Sequence, residues 1–233
     1  MTRAWAILVL LAAIAFAASP VLVPGFDGFE AGQFPVPQQS PAVQPAGYAF
    51  AIWGLIYAWL LVGAGFGAAR RLSDPDWAPM RPPLFASLAI GAFWLPVARV
   101  SPLAATVMIW VMLATALLAL FRVGDTDRWL QQTPVAIYAG WLTAASCVAL
   151  GLMLAGYGWL PDTPAALVAL AIALTIALAS QYFLHRAPEY GITVIWALVA
   201  VIVANSQPFN AAVSGLALIG IIAILGLRGT DTE

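Results

Sequence analysis

Phe50, Trp53 and Tyr57 stand three and four positions apart within one apolar run of the chain. On a helix that spacing puts the three rings on one face. Tyr138 and Trp141 repeat the three-residue step further along, and small residues follow them at Ala145 and Ala149. If these two faces meet, they form an aromatic slot with a small-residue floor. Such a slot is suited to stacking and apolar burial of a flat ligand. It offers nothing to carry an ion or to hydrolyse a bond. Ordinary helix packing uses the same spacing, so spacing alone leaves both readings open.

The elements that must position these rings are membrane helices. Of the 233 residues, 63% are hydrophobic and 8% are charged. A soluble domain is about half apolar and about a quarter charged. A spanning helix needs about 20 mostly apolar residues. Eight segments meet or approach that length: Trp5–Pro24, Gly47–Ala69, Pro83–Ala98, Pro102–Phe121, Pro134–Gly156, Pro164–Leu184, Gly191–Asn205 and Ala211–Leu227. The third and seventh are short. Pro83, Pro102, Pro134 and Pro164 fall at helix starts, where the missing N–H costs nothing. Pro96 is expected to kink or end the third segment. The expected fold is all-α, a polytopic transmembrane bundle of about eight spans.

All nine basic residues are arginines. With the N-terminus inside, Arg3, Arg70, Arg71, Arg81, Arg122, Arg128, Arg186 and Arg228 face the cytoplasm and only Arg99 lies outside, as the positive-inside rule requires. An even number of spans then leaves both termini cytoplasmic. Spanning helices point to an inner membrane of the bacterial type, since outer membranes favour barrels. The outer loops carry Asp27, Glu30 and Asp162. The sequence Ala15-Phe16-Ala17 after Arg3 also fits a signal-peptide cleavage site, but the apolar run continues through Val23, so the first helix is expected to be retained.

The longest outer loop, 25–46, holds Pro35, Pro37, Pro41 and Pro45 with Gln38, Gln39 and Gln44 between them. Loops of this length are usually functional or disordered. A stiff, polar lid, shaped by Pro41 and Pro45, is the reading adopted here; a plain spacer is the alternative.

Several functions lack the residues they need. No ionisable residue falls in the middle of a segment, which weighs against proton or sodium coupling. His185 is the only histidine and Cys147 the only cysteine, so no metal site and no intrachain disulfide are expected. No phosphate-binding glycine loop, nucleophile elbow or buried acid–base pair is found, and enzymatic activity is not expected. With a net charge of -1, nucleic acid is not an expected partner. Of the ten tryptophans, Trp5, Trp77, Trp129 and Trp159 fit membrane edges. Trp53, Trp94, Trp110, Trp141 and Trp196 fall deeper, where an indole N–H seeks a partner. Gly63 with Gly67, and Gly140 with Ala144, are small pairs that suit close helix contact, within the chain or in a homodimer.

The run PAGYAFAIWGLIYAWLLVG, 45–63, resembles the tryptophan-rich sensory protein family, also called the translocator protein or TspO/MBR family. Its signature is matched by Pro45, Tyr48, Phe50, Trp53, Tyr57 and Gly63, with Phe50 displaced by one residue. Pro134 to Leu150 resembles the family's fifth helix through Trp141 and Ala145, with Ala149 where the family has asparagine. Gly91 to Pro96 is a weaker match through Trp94, with Gly91 in another asparagine position. The resemblance covers helices one to five, to about residue 157. It implies a longer member, with a five-helix core at 1–157 under the lid loop 25–46 and three additional helices at 158–233. It also implies an integral membrane receptor or sensory protein. Its ligand would be flat and apolar, a tetrapyrrole (porphyrin or haem) or a sterol-like molecule, bound without a covalent bond. Tyr48, Phe50, Trp53, Tyr57, Trp94, Tyr138, Trp141 and Ala145 are then the expected ligand contacts, with lipids as the surroundings. Light-dependent porphyrin turnover enters only through the family. Two other readings remain: a structural or assembly subunit of a membrane-protein complex, and a small-solute facilitator lined by Gln181, Asn205, Gln207 and Asn210.

Overall fold

The computed structural model describes residues 2–25 and 28–230; Asp27, expected in the first outer loop, lies outside them. The helices are α1 (Thr2–Leu22), α2 (Ile52–Arg70), α3 (Arg81–Val100), α4 (Pro102–Phe121), α5 (Gln132–Gly156), α6 (Asp162–Leu184), α7 (Pro188–Ala204) and α8 (Ala211–Thr230). No strand is present among the described residues. Seven of these helices are long and apolar enough to cross a membrane, and α7, at 17 residues, is the short one. The chain is an integral membrane protein with an all-α fold.

Boundaries follow local chemistry. Ser101 caps α4, its hydroxyl accepting from the Ala104 N–H at 3.2 Å, and Pro102 takes the first helical position. His185 closes α6 in the left-handed conformation at φ 50°, with its N–H on the Gln181 carbonyl. Two expectations change for α3. It is a full 20 residues, because it starts at Arg81 rather than Pro83 and runs to Val100 rather than Ala98, and Pro96 does not end it. Proline inside a spanning helix removes one N–H and is tolerated where neighbours satisfy the freed carbonyl.

The chain forms two compact units, one of 1–26 with 51–142 and the other of 27–50 with 143–233. The division falls inside α5, whereas the family resemblance set a boundary at 157/158. In the first unit α3 packs on α4 and α1, and α1 on α2. In the second, α6, α7 and α8 pack together.

The α2–α3 and α4–α5 connections of the first unit are clasped. Arg71 meets Asp127 with two hydrogen bonds, Nε to Oδ2 at 2.7 Å and Nη2 to Oδ1 at 3.2 Å. The Trp77 indole also donates to Asp127, at 3.1 Å. Asp76 accepts from the backbone N–H groups of Asp125 and Thr126 and from the Thr126 hydroxyl. Gly124 allows this approach, since a Cβ there would lie 2.0 Å from the Asp76 Cγ. Trp59 of α2 adds a bond to the Trp129 carbonyl at 2.7 Å, with the two indoles stacked. Trp77, expected at a membrane edge, is instead 2% exposed, its ring against Gly67. Arg81, expected in a cytoplasmic loop, is buried and donates to the carbonyls of Arg71 and Leu72 at 2.6 and 3.1 Å, closing the end of α2.

The proline-rich loop belongs to the second unit and is packed rather than polar throughout. Phe34, Ala42, Val43 and Pro45 are buried. Both polar backbone groups of Ala42 are held, the N–H by the Asp162 carboxylate at 3.0 Å and the carbonyl by Asn205 Nδ2 at 2.8 Å. Further bonds run from the Val36 N–H to the Gly156 carbonyl and from the Ala46 N–H to the Ala200 carbonyl. Asn210 holds the Thr163 hydroxyl, Gln181 is buried beside Gly191, and Gln207 is exposed. Asn205 and Asn210 thus fasten a loop and a helix end.

Two outcomes test these contacts. Hydrogen bonding from Arg71 holds the Asp127 carboxyl below its ordinary range, helped by Trp77. The clasp's stabilisation is therefore complete above the unfolded pKa, about 4, and is lost as pH falls through the lower folded value. Asp127→Asn should melt earlier at neutral pH and lose less on acidification than the wild type; parallel acid profiles would count against the clasp. Gly67→Ala would place a Cβ 2.7 Å from the Trp77 ring, and should destabilise the protein by about 1–3 kcal/mol despite the better helix propensity of alanine. Unfolding in detergent measures it, and an unchanged midpoint would contradict the packing.

Candidate functional site

The aromatic residues of α2 and α5 do meet, and a ring from α1 joins them. Trp53 and Tyr57 stack along α2 with centroids 5.3 Å apart and an interplanar angle of 17°. Trp141 of α5 presents its edge to Trp53 at 6.1 Å and 83°. Phe16 of α1 makes edge-to-face contacts with Trp53 at 5.8 Å, Tyr57 at 5.0 Å and Tyr138 at 5.7 Å. These separations lie within the 4.5–7 Å range of favourable aromatic pairs, about 0.5–1.5 kcal/mol each beyond area.

The cluster is deep. Tyr138 is fully buried, Trp141 is 2% exposed and Phe16 3% exposed. The Tyr138 hydroxyl is within 2.8 Å of the Ser87 hydroxyl, which donates to the Met112 carbonyl at 2.8 Å. Since Ser87 uses its hydrogen on that carbonyl, Tyr138 is the donor between the two hydroxyls. This chain of bonds gives the phenol a partner without water and fixes α5 against α3 and α4. The faces of the site are therefore apolar, and the Tyr138 and Ser87 hydroxyls between α5 and α3 are paired. It has the means to bind a flat surface by burial and ring contact. Among the described residues no group of three His, Cys, Asp or Glu side chains is placed to hold a metal ion.

Trp94 is half-buried on α3 and its indole donates to the Ala105 carbonyl of α4 at 2.9 Å. Phe50 lies in a 3-10 turn, Gly47–Ala51, ahead of α2, so the helical spacing that grouped it with Trp53 and Tyr57 does not apply to it. Phe50, Tyr48, Ala145, Pro41 and Pro45 all belong to the second unit. There Tyr48 is edge-on to Trp196 at 5.4 Å, and the Trp196 indole donates to the Ala49 carbonyl. Pro45 and Cys147 border a void of about 20 Å³, room for one water. Ala145 and Pro41 are half-buried. Arg99, expected from the sequence as the lone outer arginine, donates to the Pro24 carbonyl and so ties the end of α3 to the end of α1.

Phe16 was not among the ligand contacts expected from the sequence, where it appears only in the cleavage-site alternative. Its only signal was an aromatic in a run of alanines, at Ala15, Ala17 and Ala18. Which helix face it occupies relative to Trp53 is a tertiary fact that no local pattern carries.

A family model described as TSPO-like protein matches residues 3–229. No curated protein and no solved structure matches the chain. The match runs from α1 to α8, so the last three helices, which the resemblance in the sequence left outside, fall within the matched region. The chain is a member of the TSPO-like protein family.

Proposed function

We propose that this protein is a membrane receptor or sensory protein for a flat, apolar ligand, a tetrapyrrole (porphyrin or haem) or a sterol-like molecule. The observation that carries the reading is the meeting of Trp53 and Tyr57 of α2 with Tyr138 and Trp141 of α5 around one buried centre. The aromatic surface is of the right kind for a macrocycle, and the hydroxyls of Tyr138 and Ser87 are paired with each other. The rings are in mutual contact, so ligand binding must part them. Pro41, Pro45 and Tyr48 are the residues of the loop region that this reading assigns to a lid. Membership of the family supports a binding role but not the choice among these ligands.

The same reading puts the protein in a bacterial inner membrane with both ends in the cytoplasm. Its support is the distribution of arginine. Arg3 contacts Ser73 of the α2–α3 connection, which together with the α4–α5 connection carries Arg70, Arg71, Arg122 and Arg128. An excess of arginine at one end is the usual mark of the cytoplasmic side.

Titration of the purified protein with protoporphyrin, followed by tryptophan fluorescence and by the absorption of the bound pigment, tests the ligand. Removing both indoles in Trp53→Ala/Trp141→Ala should weaken binding by about ten- to a hundredfold, from two aromatic contacts of about 1 kcal/mol each. Undiminished affinity in that double variant would remove the site from this cluster.

A further inference from the structure

Phe16 occupies the place where the two aromatic faces come together. Its ring touches Trp53, Tyr57 and Tyr138 at once. On its other side it presses on α3 at Gly91, where a Cβ would lie 2.6 Å from the Phe16 Cε2 atom. Any side chain at position 91 would collide with the phenyl in this position. Glycine at 91 therefore lets the ring seat fully, and the seated ring fills the middle of the cluster.

The turn that carries this ring is the weakest in α1. Pro20 stands four residues after Phe16 and has no N–H, so it cannot make the helical bond to the Phe16 carbonyl. The Ser19 hydroxyl takes its place, donating to that carbonyl at 2.8 Å. A side-chain bond can be exchanged by one rotamer change, whereas a backbone bond is released only by unwinding the helix. Proline within a spanning helix is where bends are placed.

We propose that Phe16 is a movable plug. In the closed form its phenyl takes the space of a ligand ring. In the open form the α1 turn at Phe16–Pro20 bends and carries the phenyl away from Trp53, Tyr57 and Tyr138. The inference rests on the reading of this cluster as the ligand site, and adds what controls entry to it. It also gives the site a selectivity. A lipid chain, always present at high concentration, cannot replace three edge-to-face ring contacts and so leaves the plug seated. A planar polycyclic ligand replaces them with contacts of the same kind, and displaces it.

The closed form reduces apparent affinity by the fraction of molecules that are open, and removing the plug removes that reduction. Protoporphyrin titration of the wild type, Phe16→Leu and Phe16→Ala should give affinity rising in that order, by about tenfold for alanine. Pro20→Ala, which restores an N–H to the Phe16 carbonyl, should slow association in stopped flow. Melting temperatures establish that each variant is folded, and Phe16→Leu serves if the alanine variant is not. Binding by Phe16→Ala alone supports both the plug and the site. Binding by the wild type that neither substitution at position 16 tightens overturns the plug and leaves the site standing. Association by Pro20→Ala at the wild-type rate overturns the hinge at that turn. Absence of binding in every variant overturns the site, and the plug with it.

Discussion

Inside a bilayer a polar group has no water to turn to, and that single condition accounts for much of the internal wiring. An unpaired donor or carbonyl in hydrocarbon costs several kcal/mol. The Trp94 and Trp196 indoles accordingly donate to backbone carbonyls. Tyr138, Ser87 and the Met112 carbonyl form a line of bonds, and Thr143 pairs with Tyr190 at 2.9 Å. Thr106, Thr115, Thr175 and Thr193 each return their hydroxyl to the carbonyl four residues back. Ser19 does the related task for the carbonyl that Pro20 leaves open. Each solution also fixes a side chain in one rotamer, that of Tyr138 in the aromatic cluster among them.

The same condition sends charge to the helix ends, where it acts on the connections. Arg71, Asp127, Asp76 and Trp77 interlock two loops of the first unit, and Arg81 closes the exposed carbonyls of α2. Surface ion pairs alone contribute little. Here the paired carboxylate also accepts an indole N–H from a buried ring, and Asp76 accepts backbone N–H groups that would otherwise be unpaired. In the second unit Asp162 and Asn205 apply the same logic to Ala42, binding a long loop by its backbone. A loop with both its backbone groups and its apolar side chains engaged is an ordered part of that unit.

Apolar faces set by these constraints are then free to meet. Close approach depends on glycine at a few positions: Gly67 against Trp77, Gly91 against Phe16, and Gly151 against Val43. Only in the second of these does the close contact lie at the candidate site. There it decides how far one phenyl ring penetrates between two faces of larger rings, and hence whether the cluster is closed by its own side chains.

Much of this could be read from the amino-acid order. Apolar runs bounded by proline specify helices, since length and hydropathy are local properties; α4 was delimited to the residue, and α6 and α8 nearly so. The spacing of Trp53, Tyr57, Tyr138 and Trp141 specified two aromatic faces, because helical periodicity is local too. Phe50 was misplaced, as a 3-10 turn before α2 changes the phase of the helix. Trp77 was read as a membrane-edge residue and Arg81 as a residue between segments, because burial depends on which other segments pack around a residue. The tertiary structure alone decided that the two faces share one centre, and that Phe16, from a third helix, fills it. Contact between helices is set by which faces exclude lipid best when all of them pack together, a choice that no single segment contains.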